Sequence, residues 1–505
     1  MMGTSFQGKL KVVDGKIMYV SKGKDFVQID TNLQSYFFEN AFALPGFSDS
    51  HGHIAALGSK LNGLDFLDCL SSEECIEKAL KNPKQKGDWI VGFGWNHELW
   101  NIKEFPNNKI LDKYFIKTPV CLTRIDGHAV WINSSALKAA KIDKFTPNPE
   151  GGIIEKDKSG NPTGILHDNA IDLVKDLIPK YTDSQLKENI QTALKELVRN
   201  GITSVHDMDV RPELLSIYRT FASKKELPLR IYTFVSGYKY EWLKHNIEPE
   251  YNDFFNIIGV KFYADGSLGS RTAAMLEDYS DKKGHRGIFL ISDSELYSKA
   301  NIALTMNFNV AVHAIGDAAN RMVLQTFRKL LADASKNIVF KLRVEHAQHI
   351  HPDDQKIFND GNIIASVQPV HCISDSATIA GKRLGERCNY AYPWKSLIEN
   401  GAHLISGSDF PIESNNPLIG IDALTKRIPY GQTKAWYKEE ILDIETAVNS
   451  YTCYPHLATS SNLQLGDIRE GFLADIVILD KDIFTYPDTN KINVLGTFVN
   501  GEKVF

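Results

Sequence analysis

Cysteine is scarce in this chain. Six residues in 505, Cys69, Cys75, Cys121, Cys372, Cys388 and Cys453, form no CxxC pair and no dense framework, which excludes a small disulfide-stapled scaffold. No apolar run approaches the ~20 residues that a membrane span needs. The opening stretch, MMGTSFQGKLKVVDGKIMYV, has neither an unbroken apolar core nor a small-residue cleavage pattern. A signal peptide is therefore not expected, and a reduced cytoplasmic compartment is the expected home. Nor does one sign of charge dominate: 57 Lys and Arg against 62 Asp and Glu leave a net charge of -5. Nucleic acid and membranes are not expected partners on that balance. Internal repeats, low-complexity segments and biased linkers are missing too. What remains is ordinary for a globular enzyme, 43% hydrophobic and 24% charged, with length for one large domain and one or two attached.

Histidine is the informative residue, because several of the 15 sit at the ends of apolar runs. The first run is LPGFSDSHGH (44–53). If Ala43 to His53 is a strand, Asp49, His51 and His53 share a face. Two imidazoles two residues apart then present their nitrogens to one volume, as a metal ion requires, and Gly52 between them crowds nothing. Taken alone, His-x-His also fits an ordinary surface strand. Seven further runs follow: ITSVHDM (202–208), LRIYTFVS (229–236), GVKFYADG (259–266), NVAVHAIGD (309–317), LRVEHAQ (342–348), IIASVQP (363–369) and HLISGSD (403–409). Helical stretches such as YSKANIALTMN separate most neighbours.

Near-continuous apolar strands alternating with helices argue a parallel sheet. Eight such units predict an α/β fold, a (β/α)8 barrel over 44–60 and 200–458, whose chemistry belongs at the C-terminal strand ends. Residues 61–199 are too many for a plain connection and read as a subdomain inserted after the first barrel strand, over the barrel mouth. The runs KLKVVDG, KIMYVSKG, FVQID and SYFFENAF near the start, with ADIVILD and VLGTFVNGEKVF near the end, read as one small β-sandwich built from both termini (1–43 and 459–505). Asp14-Gly15 and Asn500-Gly501 are its hairpin signals.

Polar residues at the strand ends form an ordered set: His51 and His53, then Lys261, His313, His346 and Asp409. Neutral imidazoles with a carboxylate suit Zn2+ or a similar divalent ion. By parity Lys261 faces the barrel interior, where a lysine is costly unless paired, neutralised or modified. Carboxylation by CO2 would make it an oxygen ligand; a salt bridge to Asp265 is the plain alternative. His349 rivals His346, and Glu345 can pair with either. His313 also fits a core histidine, and Asp409, after the tight turn that Gly407 allows, also fits a helix N-cap. Each residue alone yields to its plain alternative. Six on five strand ends of one rim do not.

The motifs PGFSDSHGH, VKFYADGSLGSRTA, VHAIGD, RVEHAQ, SVQP and SGSDFP resemble the amidohydrolase superfamily, and within it the family 3 branch that includes N-substituted formamide deformylases. GDIREGFLADIVILD resembles that branch's return to the β-sandwich. The resemblance implies that His51 and His53 hold the more buried metal, and that Lys261, as a carbamate, bridges to a second ion held by His313 and His346. It implies that Asp409 binds the buried metal and the attacking water. One or two ions are expected, because members of the superfamily differ in metal count.

The expected reaction is hydrolysis of a C–N amide-type bond in a small molecule, an N-acyl or N-formyl amide, with Asp409 as general base and then general acid. Asp49 and Glu345 are candidates to fix the imidazole tautomers. His371, past SVQP, is a candidate donor to the oxyanion or the substrate. Arg124, Asp126 and His128 in TRIDGHAVW, and Trp95, are candidate substrate contacts from the insertion, with an ion pair or plain packing as alternatives. Ser267, Ser270 and Arg271 in DGSLGSRTA are candidates at the mouth, although Ser270 also fits a helix cap. His206 is similarly placed, with Asp207 as a structural partner. The rivals are a deaminase of the same fold acting on a ring amidine, which has no need of a bridging lysine, and a non-catalytic binding protein, whose mark would be missing ligands. The expected partners are a small-molecule substrate and, in a homodimer, a second copy of the chain.

Overall fold

A computed structural model describes residues 8–22, 34–81, 83, 85–125, 127, 129–149, 151–334, 340–459 and 463–505. The run FVQID and the candidates Asp126 and His128 lie outside the described residues. Among the described residues no helix is long and apolar enough to cross a membrane.

All eight apolar runs become strands of one sheet: β1 (Phe47–Gly52), β2 (Ile202–Val210), β3 (Arg230–Ser236), β4 (Phe255–Tyr263), β5 (Asn309–Ala314), β6 (Leu342–His346), β7 (Ile363–Val367) and β8 (His403–Ser406). They pair in chain order, each parallel to the next. β3, β6 and β7 are buried at every position, because helices cover the outer face while side chains fill the inside. The helix Asp317–Asp333 shows how the cover is built. Its buried Ala319, Val323, Leu324, Phe327 and Leu330 recur at three- and four-residue spacing, one apolar stripe facing the sheet.

The ring closes just beyond β8. The Asp409 N–H donates to the His51 carbonyl at 2.7 Å and the His53 N–H to the Phe410 carbonyl at 2.9 Å, and Gly52 and Phe410 form a parallel bridge. Asp49 ties the same seam: one carboxylate oxygen accepts the His51 and Ser408 N–H groups at 3.0 and 3.1 Å, the other the Ser408 hydroxyl at 2.6 Å. At Gly407 a Cβ would fall 2.3 Å from the His51 nitrogen, a backbone atom with nowhere to go. Gly407→Ala should therefore cost about 1–3 kcal/mol as an overpacking change, read as a lowered thermal unfolding midpoint. An unchanged midpoint would show that the seam opens freely.

The terminal strands behave as their turns predict. Gly8–Val13 pairs antiparallel with Lys16–Lys22, and Glu502–Lys503 with Val494–Val499, which continues to Ile476–Leu479 and Phe42–Pro45. Asp14 with Gly15, and Asn500 with Gly501, have consecutive positive φ, as two-residue hairpins demand. Ile17, Ile476 and Ile478 share a core with Leu10, Val12 and Phe498, so both termini contribute to one small β-structure. A separate compact unit, Ala55–Ala193, has its own mixed sheet: Gly152–Lys156, Pro162–Asp168, Ala129–Ile132, Val120–Arg124, Trp89–Trp95 and Leu64–Asp65 in that order.

Candidate metal centre

The barrel brings the strand-end set together. His51 ends β1 with His53 just beyond, Lys261 lies in β4, His313 in β5, His346 closes β6, and Asp409 follows β8. The His51 and His53 Nε2 atoms stand 3.6 and 3.2 Å from Asp409 Oδ1. Ring centroids of His51 and His346 are 5.1 Å apart, and those of His313 and His346 4.5 Å. His346 and Asp409 hold φ of +73° and +59°, and Ala347 one of +43°. Residues with side chains adopt that region uncommonly and only where the surrounding structure holds them there, in tight turns as well as at functional sites.

Hydrogen bonds on the far side of two rings settle what the near side offers. His51 Nδ1 lies 2.6 Å from Glu345 Oε2 and His53 Nδ1 lies 2.9 Å from the Met208 carbonyl. Both oxygens accept, so both Nδ1 atoms carry the proton and both Nε2 lone pairs face inward. They meet a carboxylate oxygen there, with all three atoms within 4.8 Å of one another. Three acceptors with no donor between them fit a divalent cation. Burial, then Lys261, lowers His51 to about 4 and His313 to about 3; burial, then His313, takes His346 well below its ordinary value. These rings are held neutral, the state in which an imidazole can ligate a metal. His53 is drawn upward instead, as the Asp409 carboxylate outweighs burial, the same pull a cation in that place would feel.

Lys261 is 1% exposed, and its Nζ makes no hydrogen bond among the described residues. Burial lowers the amine to about 8. The salt bridge to Asp265 is absent, because the Asp265 carboxylate is spent on the Ala274, Ile315 and Gly316 N–H groups at 2.8, 3.0 and 2.8 Å. That leaves the lysine free for modification.

His371 extends the centre. It sits in the helix Pro369–Asp375 with Nε2 3.3 Å from Asp409 Oδ2 and Nδ1 3.5 Å from Glu413 Oε1, and Ser374 donates to that same oxygen at 2.6 Å. Burial opposes protonation, yet the two carboxylates raise His371 to about 10. Against burial, His371 and His53 hold Asp409 well below the usual carboxylate range. His346, His371 and Asp409 form a second convergent group. Sequence reasoning names His371 as an oxyanion or substrate donor; its contact with Asp409, and Glu413 behind it, join residues far apart in the chain and leave no local signal.

The other candidates make contacts of their own. The Trp95 ring is fully buried beside Trp100 and Trp131, its N–H given to the Leu122 carbonyl at 2.8 Å, which leaves no face for a small molecule. Arg124 ends the strand Val120–Arg124. Ser267 and Ser270 share a hydroxyl contact of 2.8 Å, and Arg271 grips Asp281 through Nε and Nη2 at 3.1 and 2.9 Å, so both belong to a braced loop. His349 is buried and stacked on Tyr390 at 4.5 Å. His206 takes its hydrogen bond from Arg343 at 2.7 Å instead of pairing with Asp207, whose carboxylate binds the Ile54 N–H and the Tyr218 hydroxyl.

Comparison with known proteins fits this geometry. The sequence profile described as "Amidohydrolase family" matches residues 39–505. The chain is 32% identical over 524 residues to Protein LONG AFTER FAR-RED 3 of Arabidopsis thaliana, an alignment covering 99% of this chain and 88% of that one. It is 24% identical over 485 residues to an N-substituted formamide deformylase of Arthrobacter pascens, covering 91% and 87%. The crystal structure of an uncharacterized metal-dependent hydrolase from Pyrococcus horikoshii OT3 superposes with a TM-score of 0.80 at 27% identity, over 95% of both chains.

Proposed function

The chain belongs to the amidohydrolase family and is a metal-dependent hydrolase, and on that premise we propose that it cleaves the C–N bond of a small N-acyl or N-formyl amide. The observation that carries this reading is the buried Lys261 amine, without a hydrogen bond among the described residues, close enough to His51 and Asp409 for their charges to interact. As a neutral amine it adds CO2 and releases one proton, giving a carbamate. His51, His53 and Asp409 would hold one ion and His313 and His346 a second, with Lys261, once a carbamate, supplying further oxygen ligands. A divalent ion there, zinc suiting the nitrogen-rich donors, polarises a carbonyl and acidifies water.

The chain's own residues do the rest. Glu345 and the Met208 carbonyl keep the His51 and His53 lone pairs turned inward. Asp409, held ionised, takes one proton from the attacking water and passes it to the leaving nitrogen, so that an acid and an amine depart. His371 steadies the Asp409 oxygen that faces away from His51 and His53. The name of the Arthrobacter relative favours formamides within this class.

The test is a library of N-formyl and N-acyl amides offered to zinc-loaded protein, with amine release measured. Dialysis against a strong chelator should abolish turnover, and added Zn2+ should restore it, with one or two ions found per chain. Turnover that survives in metal-free protein would overturn the reading.

A further inference from the structure

We infer that Arg343 is a positioning residue for the metal ligand His51, acting through Glu345 from beneath the centre. The inference rests on the metal-centre reading above. Arg343 lies in β6, fully buried, and its guanidinium engages acceptors on four strands. Nε donates to Glu345 Oε1 at 2.7 Å and Nη2 to Glu345 Oε2 at 3.2 Å. Nη2 also reaches the Ser50 carbonyl in β1 at 2.7 Å and the Ser366 hydroxyl in β7 at 3.1 Å. Nη1 donates to His206 Nδ1 in β2 at 2.7 Å. The guanidinium face lies over the Phe234 ring of β3, 4.8 Å from its centroid.

A buried ion pair returns little net stability, since desolvation consumes most of the attraction. This one has a clearer use in geometry. A two-point fork fixes the plane of the Glu345 carboxylate, and Oε2, one of the two gripped oxygens, is the atom that takes the His51 Nδ1–H at 2.6 Å. The plane of Glu345 therefore sets the tilt of the His51 ring and the direction of its Nε2 lone pair. His206 finds its place in the same scheme. A guanidinium only donates, so His206 Nδ1 accepts, and the ring serves Arg343 instead of the ion.

The test measures Zn2+ affinity, by competition with a chromophoric chelator, for the unmodified chain, Glu345→Gln, Arg343→Met and the double variant, with the unfolding midpoint of each metal-free protein alongside. Each single change should weaken zinc binding by about 10- to 100-fold, as for other groups that orient a ligand. The double variant should fall within about twofold of the weaker single, because both changes remove one device. Arg343→Lys keeps the charge without the fork; it should give an intermediate loss and covers the case in which Arg343→Met does not fold. Zinc affinity within twofold of the unmodified chain for Arg343→Met or Arg343→Lys would overturn the inference, even with a lowered midpoint. So would losses that multiply in the double variant. Failure of the metal-centre reading looks different: the unmodified chain would bind no zinc, and this inference would fall with it.

Discussion

Asp409→Asn should cut amide turnover by about 10²–10⁴-fold, the usual worth of a positioned proton carrier, while zinc stays bound. The substitution keeps the shape of the side chain and one oxygen. That oxygen can still face the His51 and His53 Nε2 atoms, which stand 3.6 and 3.2 Å away. The new NH2 would face His371 Nε2, which becomes an acceptor once its proton sits on Nδ1 toward Glu413. The surroundings can therefore absorb an asparagine. What they cannot replace is a group able to take a proton and return it. Zinc content by elemental analysis, beside initial rates of amine release, checks both halves. Full turnover in the variant would remove Asp409 from the proton path.

Lys261→Met should separate stability from activity. The methionine replaces the lysine's aliphatic stem, one atom shorter overall, and removes a buried nitrogen that has no hydrogen bond among the described residues. Leaving such a group unsatisfied costs about 1–3 kcal/mol, so the metal-free variant should melt at or above the unmodified protein. Turnover should fall at least about a hundredfold, because on the proposed reading a bridging ligand would be lost. Lys261→Ala leaves space instead, and short carboxylates such as acetate should restore part of its activity by supplying the missing oxygens. A destabilised Lys261→Met, together with an alanine variant that carboxylates do not rescue, would make the lysine a structural residue.

The fold and the cluster of polar strand-end residues were legible for the same reason: both are written in short local patterns. Each barrel strand is a short apolar run, and its polar residues mark the end where the run stops. His51 and His53 need only strand parity to be read as a pair. Local pattern fails where two strands far apart in the chain meet. Asp265 looks like the partner of Lys261 at four residues' distance, yet its oxygens go to backbone N–H groups up to 51 residues away. His206 sits beside Asp207 but is bound by Arg343, 137 residues on. Arg343 itself reads as one polar residue in an apolar run, and only the closed ring shows the strands it joins. His371 illustrates the same limit, since its two carboxylates both lie beyond β8.

The seam between β8 and β1 carries one more consequence. A cylinder of strands has no edge only while its last member grips its first, and here the clasp is made of working parts. The Asp409 amide is bonded to the His51 carbonyl, while the side chains of the same two residues converge on one point. An ion held there would fasten the hoop, and its removal would loosen the joint that keeps a row of backbone groups from reaching for a stranger. On the proposed reading, catalysis and resistance to aggregation would depend on the same few atoms.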